Sequence, residues 1–338
     1  MRKTNEDNER AKQAYVFFLE EAEGLDQKST DKVLAALLKF ETSTNFKPFK
    51  RFRVEQAAKF KADLSKAKGR AGKPLSPATI DATLAQVRGF FKWLAGQPGY
   101  KSRITYSDAN YFRNTRKNAR VAHARREKEF PSVEAAYHAF QAMPDVSEFQ
   151  KRDKALFAFF MLTGARVGAV ASLRLKHIDL FHGKVFQDAR EVKTKASKTI
   201  DTTFFPVDPV YLECFTAWVT YLREVKFFGP EDALFPKAEM GLADAGGFEV
   251  KGLSRDPYSN TTPLNKIIRN AFAVVQIPEY TPHSFRATLA MLGDQMCSNM
   301  EQLKAWSMNM GHDSISTTVT SYMPVSRQRQ TEILNGMK

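Results

Sequence analysis

Five side chains in this chain, with one of three lysines as a sixth, have the types that nucleophilic chemistry at a phosphate needs. Tyr322 closes the stretch MGHDSISTTVTSYMPV (residues 310–325), after a run of serines and threonines that follows a Gly-His pair. A free phenol titrates near pH ~10, so a tyrosine nucleophile working at neutral pH needs positive charge or a base beside it. The rest of the chain offers both. In LTGARVGAVASLRLKHIDL (162–180) a Thr-Gly break interrupts a buried helix and places Arg166 at the N-terminus of the next, where backbone N–H groups already favour an anion. TPHSFRATLAML (281–292) sets His283 and Arg286 three residues apart just after Pro282, so both donors share one face of a helix start. The turn VKTKASKTI offers Lys193, Lys195 and Lys198, any of which can deliver a proton to a leaving group, and His312 stands in the Gly-His pair. Each signal alone is ordinary surface chemistry; together they describe donors around a phosphate and a phenol to attack it.

The elements that must position these groups fall into two halves. Residues 8–24, 29–44 and 54–68 read as amphipathic helices. LSPATIDATLAQVRGFFKWLAGQPG opens with Ser76 before Pro77, carries Ile80, Leu84, Val87, Phe90, Phe91 and Leu94 at helical spacing, and ends at Gly96 and Pro98. This half is all helical. Residues 114–129 (NTRKNARVAHARREKE) lack apolar periodicity and read as a basic interdomain linker. Beyond it, helices at SVEAAYHAFQAM and RDKALFAFFML precede GKVFQDAREV and TIDTTFFPV, whose Val, Phe and Thr content predicts a β-hairpin across KTKAS. A helix around 210–225, a Gly-rich connection (EMGLADAGGFEVKGLS) and helices from Pro263 to the end complete an α+β half.

Charge narrows the partner. Of the net +14, nearly all lies in residues 51–130, with 19 Lys and Arg against 6 Asp and Glu; residues 1–50 carry 9 and 9, and residues 131–338 carry 23 and 22. A folded, strongly basic segment suggests a polyanion, and nucleic acid is the commonest. The polar start MRKTNEDNER excludes a secretory signal at that position, and the run ALFAFFML (155–162) is too short to span a bilayer. Cys214 and Cys297 stand far apart without CxxC or His-rich neighbours, which predicts free thiols in a reducing compartment and no structural zinc. No carboxylate cluster accompanies the histidines, which argues against a metal-dependent nuclease.

Taken in order, the TGxR turn, the lysine hairpin, HSFR, MGH and a tyrosine about ten residues later resemble the tyrosine recombinase (phage integrase) family; EDALFP (231–236) and STTVTSY are similar to family sequences too. The resemblance implies an N-terminal all-α core-binding domain (1–125), an interdomain linker (126–132) and an α+β, mainly helical catalytic domain with a small antiparallel β-sheet (133–338), the fold of DNA breaking-rejoining enzymes. It implies Arg166, His283, Arg286 and His312 as donors around the scissile phosphate and Tyr322 as nucleophile, forming a 3′-phosphotyrosyl link and releasing a 5′-hydroxyl, with no cofactor and no metal. The hairpin lysine is then the general acid: Lys195 by its KxxK setting, with Lys198 and Lys193 as alternatives. Three features depart from the family pattern. Ala169 replaces an acidic residue three positions after Arg166, the gap from His312 to Tyr322 is ten residues where nine is common, and Gly241–Ser254 has no counterpart.

The expected function is site-specific recombination of duplex DNA by a homotetramer on paired sites, monomeric in free solution, with accessory DNA-bending proteins, in the bacterial cytoplasm. A type IB topoisomerase-like enzyme and a catalytically inactive DNA-binding accessory protein are the alternatives. The tail MPVSRQRQTEILNGMK carries Met323, Val325, Ile333 and Leu334, which suit docking on a neighbouring protomer or packing in cis.

Overall fold

The computed structural model describes residues 4–69, 72–124, 129–243, 246–322 and 327–337. The chain divides into two compact units, Met1–Arg126 and Glu127–Lys338. Residues 126–128 of the expected linker lie outside the described residues.

The first unit contains five α-helices: α1 (Glu6–Glu21), α2 (Gln27–Ser43), α3 (Val54–Lys66), α4 (Pro77–Ala95) and α5 (Arg116–His123). Helix α4 begins and ends as its sequence dictates. Ser76 caps it by accepting the Thr79 N–H, Pro77 occupies the first turn where its missing N–H costs nothing, and Gly96 follows the last residue. The core is largely aromatic, with Phe40, Phe49, Phe60, Phe90, Phe91 and Phe112 all buried; burying each ring contributes about 2–3 kcal/mol. A buried polar staple crosses this core: Asn8 donates to Glu41 at 3.0 Å and to the Lys47 carbonyl at 3.1 Å, and its oxygen accepts the Phe49 N–H at 2.8 Å.

Helix α5 corrects the linker reading of residues 114–129. Thr115 caps it through the Asn118 N–H, and none of its residues is buried. Polar contacts to Asp81 on α4 hold it in the first unit, from Asn114 at 3.1 Å and His123 at 3.3 Å. Most of its residues are Arg, Lys, Asn or His, so in the sequence it reads as a solvated basic segment.

The second unit is built on α7 (Glu148–Thr163), whose residues 155–163 are all buried, so the ALFAFFML run is a central core helix. Around it stand α6 (Val133–Gln141), α8 (Val167–Val170), α9 (Pro209–Thr220), α10 (Thr262–Val274), α11 (Ser284–Met296), α12 (Met300–Asn309), α13 (Ile315–Tyr322) and α14 (Arg327–Gly336). The expected hairpin exists as an antiparallel pair, β2 (Lys184–Gln187) and β3 (Ile200–Thr203), with β1 (Ile178–Asp179) on the other edge of β2. Its strands are shorter than predicted, and the lysines lie on a long connection, residues 188–199, rather than at a tight tip. The Gly-rich connection read after residue 238 is in fact a second hairpin, β4 (Ala238–Leu242) paired with β5 (Phe248–Leu253). Its apolar residues Met240, Leu242, Phe248 and Val250 are exposed, so no buried face marks these strands in the sequence. Among the described residues, no helix is long and apolar enough to cross a membrane.

Candidate active site

Four segments of the second unit meet at one place, and two glycines let them. Gly164 ends α7 in the left-handed conformation at φ 56°, and a Cβ there would stand 3.0 Å from Leu289 Cδ1 on α11. Gly311, at φ 72°, turns the chain from α12 toward α13, and a Cβ there would meet Ile200 Cδ1 of β3 at 2.8 Å. Strand β3 is tied to the end of α12 by Asn309, whose amide accepts the Thr203 N–H at 2.8 Å and donates to the Thr203 carbonyl at 2.7 Å. The Phe205 N–H reaches the Leu162 carbonyl of α7 at 2.7 Å. Trp306 of α12 donates its indole N–H to the Leu289 carbonyl of α11 at 2.9 Å.

Arg286 is the hub of this arrangement. Only 2% exposed, it donates from Nη1 to the Gly164 carbonyl at 2.6 Å and from Nη2 to the Met310 carbonyl at 2.8 Å. Its Nη2 also meets His312 Nε2 at 2.6 Å. Its Nε is buried and has no hydrogen-bond partner among the described residues. Burial lowers the Arg286 pKa from its ordinary value, and the charge of Arg166 adds to this, while a hydrogen bond with the Tyr322 phenol works in the opposite direction. A guanidinium remains charged even so.

His312, 7% exposed, directs Nδ1 at Thr318 Oγ1, 2.7 Å away, and Thr318 Oγ1 lies 2.7 Å from Ser307 Oγ. Burial, then the charges of Arg286, Arg166, Lys198 and His283, push its pKa down to about 4, so the imidazole is neutral at physiological pH.

Tyr322, the last residue of α13, stacks on His312 with centroids 5.5 Å apart and planes 11° apart. Its ring lies 6.1 Å from that of His283, the exposed N-cap of α11. The ten-residue spacing therefore still delivers the phenol. Thr318 and Tyr322 are one turn apart on the inner face of α13, and the buried Thr318 fixes which way that face turns.

Arg166 is half-buried at the N-cap of α8. The position that departs from the family pattern, Ala169, is 1% exposed in the core beneath it. Among the described residues, the one carboxylate in an ion pair with any of these cations is Asp313, which takes Lys198. That pairing separates the three lysines. Lys198 pairs with Asp313, the residue after His312, and its charge is felt at the imidazole. Lys195 is exposed in a turn of 3-10 helix, and Lys193 is exposed with its backbone N–H donated to Ser172 at 2.9 Å. Neither Lys193 nor Lys195 has a side-chain ion pair among the described residues. The structure thus brings His283 and His312 against the Tyr322 ring and Arg286 against His312, while Arg166 and Lys198 are near enough for their charges to act on His312; no side-chain ion pair ties Lys195, the lysine the KxxK setting favoured, to this group among the described residues. Sequence reasoning missed Thr318 and Ser307; the one signal for Thr318 was its i−4 spacing from Tyr322.

Among the described residues, no group of His, Cys, Asp and Glu is arranged to hold a metal. A phenol set among imidazole and guanidinium groups suits attack on a phosphodiester, where negative charge builds on the oxygens and donors fixed in advance stabilise it.

Comparison with known proteins agrees with that chemistry. The phage integrase family is matched over residues 131–329. A tyrosine recombinase XerC of Ralstonia pickettii (strain 12J) is 24% identical over 255 residues, covering 73% of this chain and 69% of that protein. The lambda integrase (75–356) dimer bound to a COC′ core site shares the fold with a TM-score of 0.64 at 14% identity, covering 94% of this chain and 95% of that one. XerH site-specific recombinase, in a post-cleavage complex with a palindromic difH substrate, gives 0.62 at 16% identity, over 93% of this chain and 81% of that one. The chain belongs to the phage integrase family, the tyrosine recombinases, which cleave and rejoin DNA strands. These relatives do not favour the topoisomerase or the inactive accessory reading.

Proposed function

We propose that this recombinase cuts DNA with Tyr322, that Arg166, His283 and Arg286 hold the scissile phosphate, and that His312 seats the Arg286 guanidinium and the phenol beside it. The observation that carries this reading is the stacking of the Tyr322 ring on His312, whose Nε2 lies 2.6 Å from Arg286 Nη2, within one chain. The Tyr322 oxygen attacks phosphorus and the bond to the 5′ oxygen breaks. The phenol loses its proton to solvent, and Lys198 gives one to the departing 5′ oxygen, leaving a 3′-phosphotyrosyl link and a 5′-hydroxyl. Lys198 takes this role ahead of Lys195 because its ion pair with Asp313, the residue after His312, ties it to the site. The phosphotyrosyl bond conserves the energy of the phosphodiester, so rejoining is attack by a 5′-hydroxyl in reverse. Arg286 Nε, a buried donor without a partner among the described residues, is suited to a phosphate oxygen.

The first unit serves in this reading as a core-binding domain, with the basic residues of 51–130 as phosphate contacts. The working assembly is a homotetramer on paired duplex sites in the bacterial cytoplasm, formed from monomers, with DNA-bending accessory proteins where a site must be folded. The test is incubation with nicked duplexes carrying candidate sites, followed by denaturing electrophoresis. Wild type yields a covalent protein–DNA adduct and Tyr322→Phe yields none; an adduct that survives the substitution moves the nucleophile elsewhere.

A further inference from the structure

We propose that Thr318 is a positioning residue: its hydroxyl, backed by Ser307, holds His312 as the Nδ1–H tautomer and locks that imidazole to the helix that carries Tyr322. The role in the reaction rests on the reading of Tyr322 given above; the hydrogen-bond assignment does not.

The tautomer follows from elimination. A guanidinium has only N–H donors, so His312 Nε2, 2.6 Å from Arg286 Nη2, must be the acceptor. The imidazole proton then sits on Nδ1 and must be donated to Thr318 Oγ1 at 2.7 Å. Thr318 keeps its own hydroxyl proton for Ser307 Oγ, also at 2.7 Å. Thr318 is 0% exposed and Ser307 1% exposed, so water cannot readily replace either hydroxyl. Removing the Thr318 hydroxyl therefore strands a buried N–H donor with no partner to accept it.

The same hydroxyl sets the register of α13. Thr318 precedes Tyr322 by four residues, so the contact that pins Thr318 to His312 brings the next turn, and the phenol, over the imidazole. His312 in turn holds Nη2 of Arg286, whose Nη1 is held by the end of α7. One hydroxyl thereby registers nucleophile, imidazole and guanidinium against each other.

Two readouts test this on the full chain. The first is nitrogen-15 NMR of histidine-labelled wild type without DNA near neutral pH, with the His312 signals identified by their loss in His312→Gln. Expected are a protonated Nδ1 and an unprotonated Nε2; a protonated Nε2 or an imidazolium overturns the proposal, and this measurement needs no variant of Thr318 to fold. The second is single-turnover adduct formation. Thr318→Val, which exchanges the hydroxyl for a methyl group, should lose the Nδ1–H signature and slow the adduct by about tenfold. Thr318→Ser, which restores the hydroxyl, should recover both. A Thr318→Val protein with wild-type spectrum and rate, or a Thr318→Ser protein no better than Thr318→Val, refutes the role. A wild type that shows the signature but forms no adduct refutes the reaction assigned to Tyr322 and, with it, any role of Thr318 in that reaction.

Discussion

Acidification should weaken the second unit through His312, and the size of the effect follows from its surroundings. Burial and the charges of Arg286, Arg166, Lys198 and His283 lower its pKa to about 4, against about 6.5 for an unfolded histidine. Between those values the unfolded chain binds the proton and the folded chain does not, so stability falls as pH falls. Above pH ~6.5 both states are neutral and the term vanishes; below pH ~4 it reaches its full size, about 3 kcal/mol at 1.36 kcal/mol per pH unit. At about pH 5.5 the loss is about 1.4 kcal/mol, before protonation of most carboxylates begins. The assay is urea unfolding, followed by a probe in the second unit, of wild type and His312→Gln from about pH 7.5 to pH 5.5. The difference between the two proteins removes groups common to both. Wild type should lose about 1.4 kcal/mol more than the variant over that range. Parallel curves, or a wild type that gains stability on acidification, would refute the claim that burial and its cationic neighbours hold His312 neutral.

Gly311→Ala should lower stability by at least about 1–2 kcal/mol, because a Cβ at φ 72° is strained and collides with Ile200. Calorimetry should show a reduced Tm, and Ile200→Ala in the same chain should return part of it. Lys198→Ala should slow cleavage by about a hundredfold and Lys195→Ala far less. A 5′-bridging sulfur, which leaves without a proton, should rescue Lys198→Ala; no rescue would remove Lys198 as the acid. Affinity for duplex DNA should fall with salt by about 0.9 log units per log unit for each phosphate neutralised, and charge reversal at basic residues of 51–130 should flatten that slope.

The parts of the fold that sequence disclosed are those whose ends and faces are local. Ser76, Pro77 and Gly96 delimit α4 without help from the rest of the chain, and the apolar run of α7 can only be core. Helix α5 and the β4–β5 hairpin stayed hidden because α5 buries no residue and the hairpin buries only Leu253 at its end. In the site, Tyr322 and the Arg and His residues gathered near it were legible as types in order, yet the choice among three lysines was not. That choice depends on how residues 188–199 return to the body: Glu191 binds His177 at 3.0 Å and Lys176 at 2.7 Å near one end, and Lys198 meets Asp313 near the other. Thr318 escaped notice for a related reason, since a threonine among serines and threonines acquires meaning only once His312 is seen beside it. Of the tail residues, Met323 and Val325 lie outside the described residues, while Ile333 and Leu334 are exposed on α14.

The most direct test of the central claim is to locate the DNA on the protein. Adduct trapped on a nicked duplex is digested with nuclease and protease, and the nucleotide-bearing peptide is sequenced by tandem mass spectrometry. The account predicts a 3′-nucleotide phosphate on the phenol oxygen of Tyr322; the same phosphate on any other side chain would contradict it.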